Sequence, residues 1–201
     1  MAKIFGKFDT DNIEINDISL KQVITLDDVT TPHSFGRHKK SPLGKMKVNV
    51  VERLINKLMR GGTGAKTSGK IIRTKGQLQG KKLKCMKVVE NAFDIIEKKT
   101  QKNPVQLLVK ALENAAPRED VTRVTHGGVS YQVAVDLSAP RRIDLALRNI
   151  TLAALMSSFN RSRSLHQILA DEIMSTAEGD ATKSYAIKKR DEAERMARSA
   201  R

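Results

Sequence analysis

The chain has no tryptophan, and Phe and Tyr together make up only 3% of its 201 residues. Proteins that hold unstructured single strands stack the bases on aromatic rings, so this scarcity excludes that mode as the main one. A single cysteine, Cys85, excludes an internal disulfide and fits a reducing compartment. No apolar run approaches the ~20 residues needed to cross a bilayer. The longest such stretch is broken by Arg148, and residues 1–7 lack the apolar segment of a signal peptide. These gaps lead us to expect an intracellular, cytoplasmic protein with no membrane partner.

Acid is also nearly missing, but only locally. Residues 33–87 hold sixteen Lys and Arg against one acid, Glu52. Residues 1–31 carry three bases and six acids, and 88–201 carry eighteen and fifteen, so the flanks cancel and the segment matches the net +15. Charge of one sign at that density repels itself unless a polyanion neutralises it. With so few rings available, the protein should grip the phosphates, sugars and shape of folded nucleic acid.

Hydrophobic periodicity sets the architecture. Residues 1–30 are acidic, with Ile13, Ile15, Ile18 and Leu20 as apolar points, and read as an extension with a short strand or turn. Pro32, Gly36, Pro42 and Gly44 punctuate the basic stretch that follows and disfavour a persistent helix. Val51, Leu54, Ile55, Leu58 and Met59 then recur at helical spacing over 48–60, ended by Gly61-Gly62. After a Gly, Lys and Thr-rich loop, a second helix is predicted over 81–100, with Leu83, Met86, Val89, Phe93 and Ile96 on one face. A third, over 103–115, opens on the capping pair Asn103-Pro104 and buries Val105, Leu108, Ala111, Leu112 and Ala115.

The period then drops to two. Val129, Tyr131, Val133 and Val135 form one face of a strand, and 121–125 pairs with it around His126-Gly127-Gly128. Helix resumes over 139–156, apolar nearly all round over 143–156 and therefore expected at the centre. Two more helices follow: 164–177, with Leu165, Ile168, Leu169 and Ile173 inward, and 184–199. The last carries the i,i+4 pairs Lys188–Glu192, Asp191–Arg195 and Glu194–Arg198. The fold class is mainly α: a bundle of about six helices with a protruding β-hairpin arm and a basic N-terminal extension. The extension spans 1–47, and the helical domain spans 48–201 with its hairpin at about 119–137.

No constellation for catalysis emerges. The run from Gly64 to Ile71 has the glycine–lysine spacing of a phosphate-binding loop, but Ile71 stands where a hydroxyl must reach magnesium. It also follows a helix, where such loops follow a strand. His33, His38, His126 and His166 lack the paired spacing of a metal site, and Cys85 has no cysteine partner. Asp171 and Glu172 are adjacent, so they face different sides of a helix. We expect a binding protein, not an enzyme, with no cofactor and no metal.

The candidate binding residues are basic. Arg37, His38, Lys39, Lys40, Lys45 and Lys47 form an arm, Lys66, Lys70, Arg73 and Lys75 a loop, and Lys81, Lys82 and Lys84 a cluster before the second helix. Arg141 and Arg142 sit in a first helical turn, where the macrodipole is already positive and an anion would relieve both; for Arg142 a carboxylate such as Asp136 would also serve. Arg161 with Arg163, and Lys188-Lys189-Arg190, make further patches. The hairpin tip, with Arg123, His126, Gly127, Gly128 and Tyr131, is slim enough for a groove or crowded interface. Patches on several faces suit an RNA that folds around the protein, whereas one basic face suits duplex DNA. The order of three helices and a hairpin over 48–136 keeps a winged-helix DNA reader open. Its reading helix, 103–115, would present Gln106, Lys110, Glu113 and Asn114.

Several stretches resemble small ribosomal subunit protein seven in its archaeal and eukaryotic-type form. They are TPHSFGRHKK at 31–40, VERLINKLMR at 51–60, GKKLK at 80–84, PRED at 117–120, QVAVDLSAPRR at 132–142, LADEI at 169–173 and SYAIKKRDE at 184–192. The resemblance runs over about residues 4–201. It implies a structural protein of the small subunit that binds the 3′ major domain of the rRNA in the head and supports head assembly. It also implies neighbouring small-subunit proteins as partners. Residues 37–47 and the lysines before the second helix would lie against rRNA. The hairpin, 123–131, and the C-terminal region, 185–201, would lie near exit-site tRNA and mRNA. The loop 62–79 is longer than in many relatives, and the tip is closer to the bacterial pattern.

Overall fold

The computed structural model describes residues 3–27, 29–40, 42–62 and 77–201. Among them are seven α-helices and one two-stranded antiparallel hairpin, in the order α1 Ile18–Lys21, α2 Val50–Met59, α3 Lys82–Thr100, α4 Pro104–Ala115, β1 Glu119–His126, β2 Val129–Asp136, α5 Ala139–Ser158, α6 Leu165–Glu178 and α7 Tyr185–Ser199. The mainly α fold expected from periodicity is the one observed. The helix beyond the expected six is α1, a single turn capped by the Asp17 carboxylate on the Ser19 N–H. The basic stretch before α2 forms two 3₁₀ turns, Arg37–Lys40 and Gly44–Lys47, and no persistent helix.

Caps fix the helix starts. Asn49 accepts from the Val51 N–H at 2.9 Å to start α2, and Asn103 accepts from Val105 at 3.0 Å to start α4, with Pro104 in its first turn. Ser184 caps α7 by accepting from the Ile187 N–H. The core collects Val51, Leu54, Ile55 and Leu58 from α2, Val89, Phe93 and Ile96 from α3, and Leu108 and Leu112 from α4. To these α5 and α6 add Ile143, Leu147, Ile150, Leu169 and Ile173. Helix α5 touches α1, α2, α4, α6 and α7, in keeping with its expected central place.

The structure revises several local expectations. Leu83, expected on the core face of α3, is 75% exposed, and Cys85 is buried in its stead. The helix begins at Lys82, so its inward stripe runs Cys85, Met86, Val89, Ala92, Phe93 and Ile96. The first residues also join the core. Ile4, Phe8, Leu20, Val23 and Ile24 are buried in the same cluster, and Phe5 and Phe8 meet Phe93 edge-to-face at 6.4 and 5.6 Å. In α7, the charged side chains make other pairs than those the i,i+4 spacing suggests. Lys189 bonds Glu192 at 2.5 Å, Arg190 bonds the Asn114 carbonyl at 2.5 Å, and Glu194 accepts from the Arg118 N–H at 3.2 Å. Tertiary partners and closer neighbours within α7 displace the weak i,i+4 pairs.

The hairpin leaves the bundle as an arm. Its register pairs Glu119 with Asp136 at the base and His126 with Val129 at the tip, around Gly127-Gly128. Both glycines have positive φ, 57° and 82°, as a two-residue hairpin turn requires. Helix α7 packs beside the base of the arm. One face pairs Val124 with Tyr131 and Thr122 with Val133, and Val124, Tyr131 and Val133 are exposed to solvent.

Candidate nucleic-acid interface

A groove of about 590 Å³ lies between α2 and α5. Six basic side chains line it: Lys45, Arg53, Lys57, Arg60, Arg141 and Arg148. Among the described residues, Asp144 is its one acid. Two helical stripes build it. Arg53, Lys57 and Arg60 fall on one face of α2, and Arg141, Asp144 and Arg148 on one face of α5. Leu145 and Leu152, expected to be at the centre, line the groove as its apolar wall. An adjoining hollow of about 180 Å³ brings in His38 and Asn56.

Asp144 organises the cations. It lies 3.4 Å from Arg53 Nη2, 3.4 Å from Lys57 Nζ and 3.8 Å from Lys45 Nζ. Burial alone would raise its carboxyl, but Lys57, Arg53 and Lys45 hold it below its ordinary value. One carboxylate does not balance its neighbours. Burial pushes the Lys57 ammonium below its ordinary value, Arg60 and Lys45 reinforce this, and Asp144 only partly opposes it. Arg53, buried beside it and donating to the Val23 carbonyl at 3.2 Å, is likewise pushed down by burial. An anion entering the groove would relieve this excess.

The expected binding residues divide by environment. Arg37, Lys40, Lys45, Lys47, Lys81, Lys84, Arg141, Arg161 and Lys188 are exposed, as are Arg123, His126 and Tyr131 on the arm. Lys82 is turned inward to Glu52 at 2.6 Å. Arg142 is buried: its guanidinium donates to Asp17 at 2.8 Å, to Ser19 and to the Pro117 carbonyl at 3.2 Å. The carboxylate it meets is Asp17 rather than Asp136. Arg163 pairs with Asp171, which Lys99 also reaches at 2.8 Å. The Lys39 side chain and Lys66, Lys70, Arg73 and Lys75 lie outside the described residues, as does the phosphate-loop-like run.

Arg53, Lys57, Arg60 and Arg148 are the groove residues that the sequence reading missed. Their signal was present: positions 53, 57 and 60 are spaced as a second stripe on a helix chosen for its apolar one. Glu172 accepts from Ser184 Oγ at 2.8 Å and the Ala186 N–H at 3.2 Å, holding the start of α7.

The helix that a winged-helix reader would need is occupied. Gln106 accepts from the Glu14 N–H at 2.9 Å, Glu113 accepts from Asn16 at 2.6 Å, and Asn114 donates to the Thr176 and Ala177 carbonyls at 3.0 Å. Three of its four candidate base readers therefore hold the fold together.

The bundle and its groove define a class: a cationic, mainly α protein with a projecting β-hairpin. Comparison with known sequences makes it particular. A family model described as Ribosomal protein S7p/S5e matches residues 20–201, and the chain belongs to that family. It is 46% identical to small ribosomal subunit protein uS7 of Methanothermobacter thermautotrophicus over 200 residues, covering all of both chains. It is 44% identical to the uS7 of Methanosphaera stadtmanae, covering 98% of each chain. It is also 46% identical to that of Archaeoglobus fulgidus, covering 98% of this chain and 94% of the relative.

Proposed function

We propose that the protein is a structural component of the small ribosomal subunit that binds the 3′ major domain of the rRNA in the head. One observation carries the reading: six cations face one carboxylate in a groove between two core helices. A surface that needed only solubility would intersperse its acids, whereas this one keeps an excess that an RNA backbone would neutralise. The exposed cations of residues 37–47, with Lys81 and Lys84, extend the same charge across the surface beside α2. The mechanism is positioning: converging rRNA helices bind a bundle whose core holds the cations at set distances.

The arm and the start of α7 have a second role in this reading. The arm carries Arg123, His126 and Tyr131 beyond the bundle, where they would meet exit-site tRNA and mRNA, and α7 packs at its base with Lys188 outward. Lys189 and Arg190 are held by Glu192 and Asn114, so they shape that end of the helix. The protein would work in the cytoplasm, within the ribosome. Among the described residues no helix is long and apolar enough to cross a membrane.

Competition of a folded 3′-domain rRNA fragment against duplex DNA tests the reading. With about eight phosphates neutralised, log affinity should fall against log salt with a slope near −7. Replacing Arg60, Arg141 and Arg148 with alanine should flatten that slope by about 3. An affinity for the rRNA fragment that hardly changes with salt would overturn the assignment.

A further inference from the structure

Phe35 is 74% exposed in a chain that has only seven Phe and Tyr residues. Its exposure is built by the fold. The backbone has φ 51° at Phe35 and 74° at Gly36, a left-handed pair that turns the ring away from the bundle. A bulky residue does not adopt that region without support. The support is visible on both sides. Ser34 Oγ donates to the buried Glu52 at 2.9 Å and lies 3.2 Å from His38 Nδ1. The Phe35 N–H donates to His33 Nδ1 at 2.9 Å, which brings the imidazole against the phenyl ring at a centroid distance of 4.2 Å. The guanidinium of Arg37 stands 5.7 Å from the ring centroid.

We propose that Phe35 is a stacking platform for one unpaired RNA base, with Arg37 and Lys40 holding the flanking phosphates. The inference rests on the RNA-binding reading above and adds a contact of different chemistry. Charge complementarity selects the occupant. The Arg37 guanidinium stands over the ring and the exposed Lys40 ends the same short 3₁₀ turn, so an apolar protein surface would have to desolvate these cations. A nucleobase brings its own phosphates, and a ring backed by imidazole and guanidinium presents the π-face on which bases stack. The general scarcity of rings still excludes a stacked single strand, because one platform serves one base.

The absence of tryptophan makes the test direct. In the full-length protein, Phe35→Trp introduces a single indole. Saturation with the folded 3′-domain rRNA fragment should quench its emission strongly, because the base would lie on it. Phe35→Ala, at an exposed position that leaves the circular dichroism unchanged, should weaken binding by about tenfold with the salt slope unaltered. Tight binding with indole emission unchanged overturns the platform and leaves the RNA-binding reading standing. Failure of the unaltered protein to bind the fragment removes that reading and the platform with it. Normal RNA binding by Phe35→Ala, with loss of its association with other small-subunit proteins, would identify the ring as a protein contact and also overturn the inference.

Discussion

Lys82 Nζ donates to Glu52 Oε1 at 2.6 Å, joining the start of α3 to α2 through the one acid of residues 33–87. The same oxygen accepts from Ser34 Oγ at 2.9 Å, so a single carboxylate anchors the basic arm, α2 and α3. Both partners are largely shielded from water, and a shielded pair broken on one side leaves an uncompensated charge. Lys82→Met should therefore lower stability by about 3 kcal/mol in urea denaturation. Lys81→Met and Lys84→Met, at exposed positions, should stay within about 0.5 kcal/mol. Burial alone would raise the Glu52 carboxyl, but the bonds from Lys82 and Ser34 outweigh it and hold it below the ordinary 4.5. The folded value is the lower one. This contribution is thus present above pH 4.5 and is lost as pH falls below it.

Arg141 and Arg142 are adjacent in sequence and opposite in role. Arg142→Met removes the partner of Asp17, Ser19 and the Pro117 carbonyl, and should cost about 3 kcal/mol while leaving the salt slope of RNA binding unchanged. Arg141→Met, on the groove, should leave stability within about 0.5 kcal/mol and flatten the slope by about 1. Thermal melts paired with salt titrations of the two variants would check this.

Glu172 should oppose the acid-sensitive carboxylates. Its burial raises its carboxyl above the ordinary 4.5, against the bonds from Ser184, Ala186 and Tyr185 that lower it. A folded value above the unfolded one means the native state binds the proton more readily, so stability should rise as pH falls toward 4.5. Glu172→Gln should be more stable than the unaltered protein at pH 7, and the difference should vanish on acidification. Urea midpoints measured between pH 7 and pH 4.5 read the effect directly.

The arm should unfold apart from the bundle. Gly127 and Gly128 hold positive φ, so replacing both with valine strains the turn that closes His126 on Val129. Amide exchange in the outer half of β1 and β2 should accelerate, while that of α5 and α6 stays unchanged. The melting temperature should barely move, because the outer strands bury almost nothing.

The six longer helices and the hairpin register were legible in residue order, whereas the single turn α1 was not. The Asn103 cap, the double glycine and the 3.6 and 2.0 periods each act within a few residues, and local steric and hydrogen-bond rules suffice to read them. The apolar stripe of α2 was read and its basic stripe was not, although both lie in the same ten residues. The basic one acquires meaning only when α5 faces it.

Residue order by itself thus determined the class of protein: a cationic helical bundle with an arm, poor in rings. The tertiary structure decided which cations stay on the surface and which hold the fold. Arg142 is internal because Asp17, 125 positions away, comes within 2.8 Å of it, and Lys82 is internal because Glu52 waits 30 positions upstream. Charge and periodicity are properties of a segment. The partner of a charge is a property of the packed core, since burial fixes both what can approach and what an unpaired ion would cost.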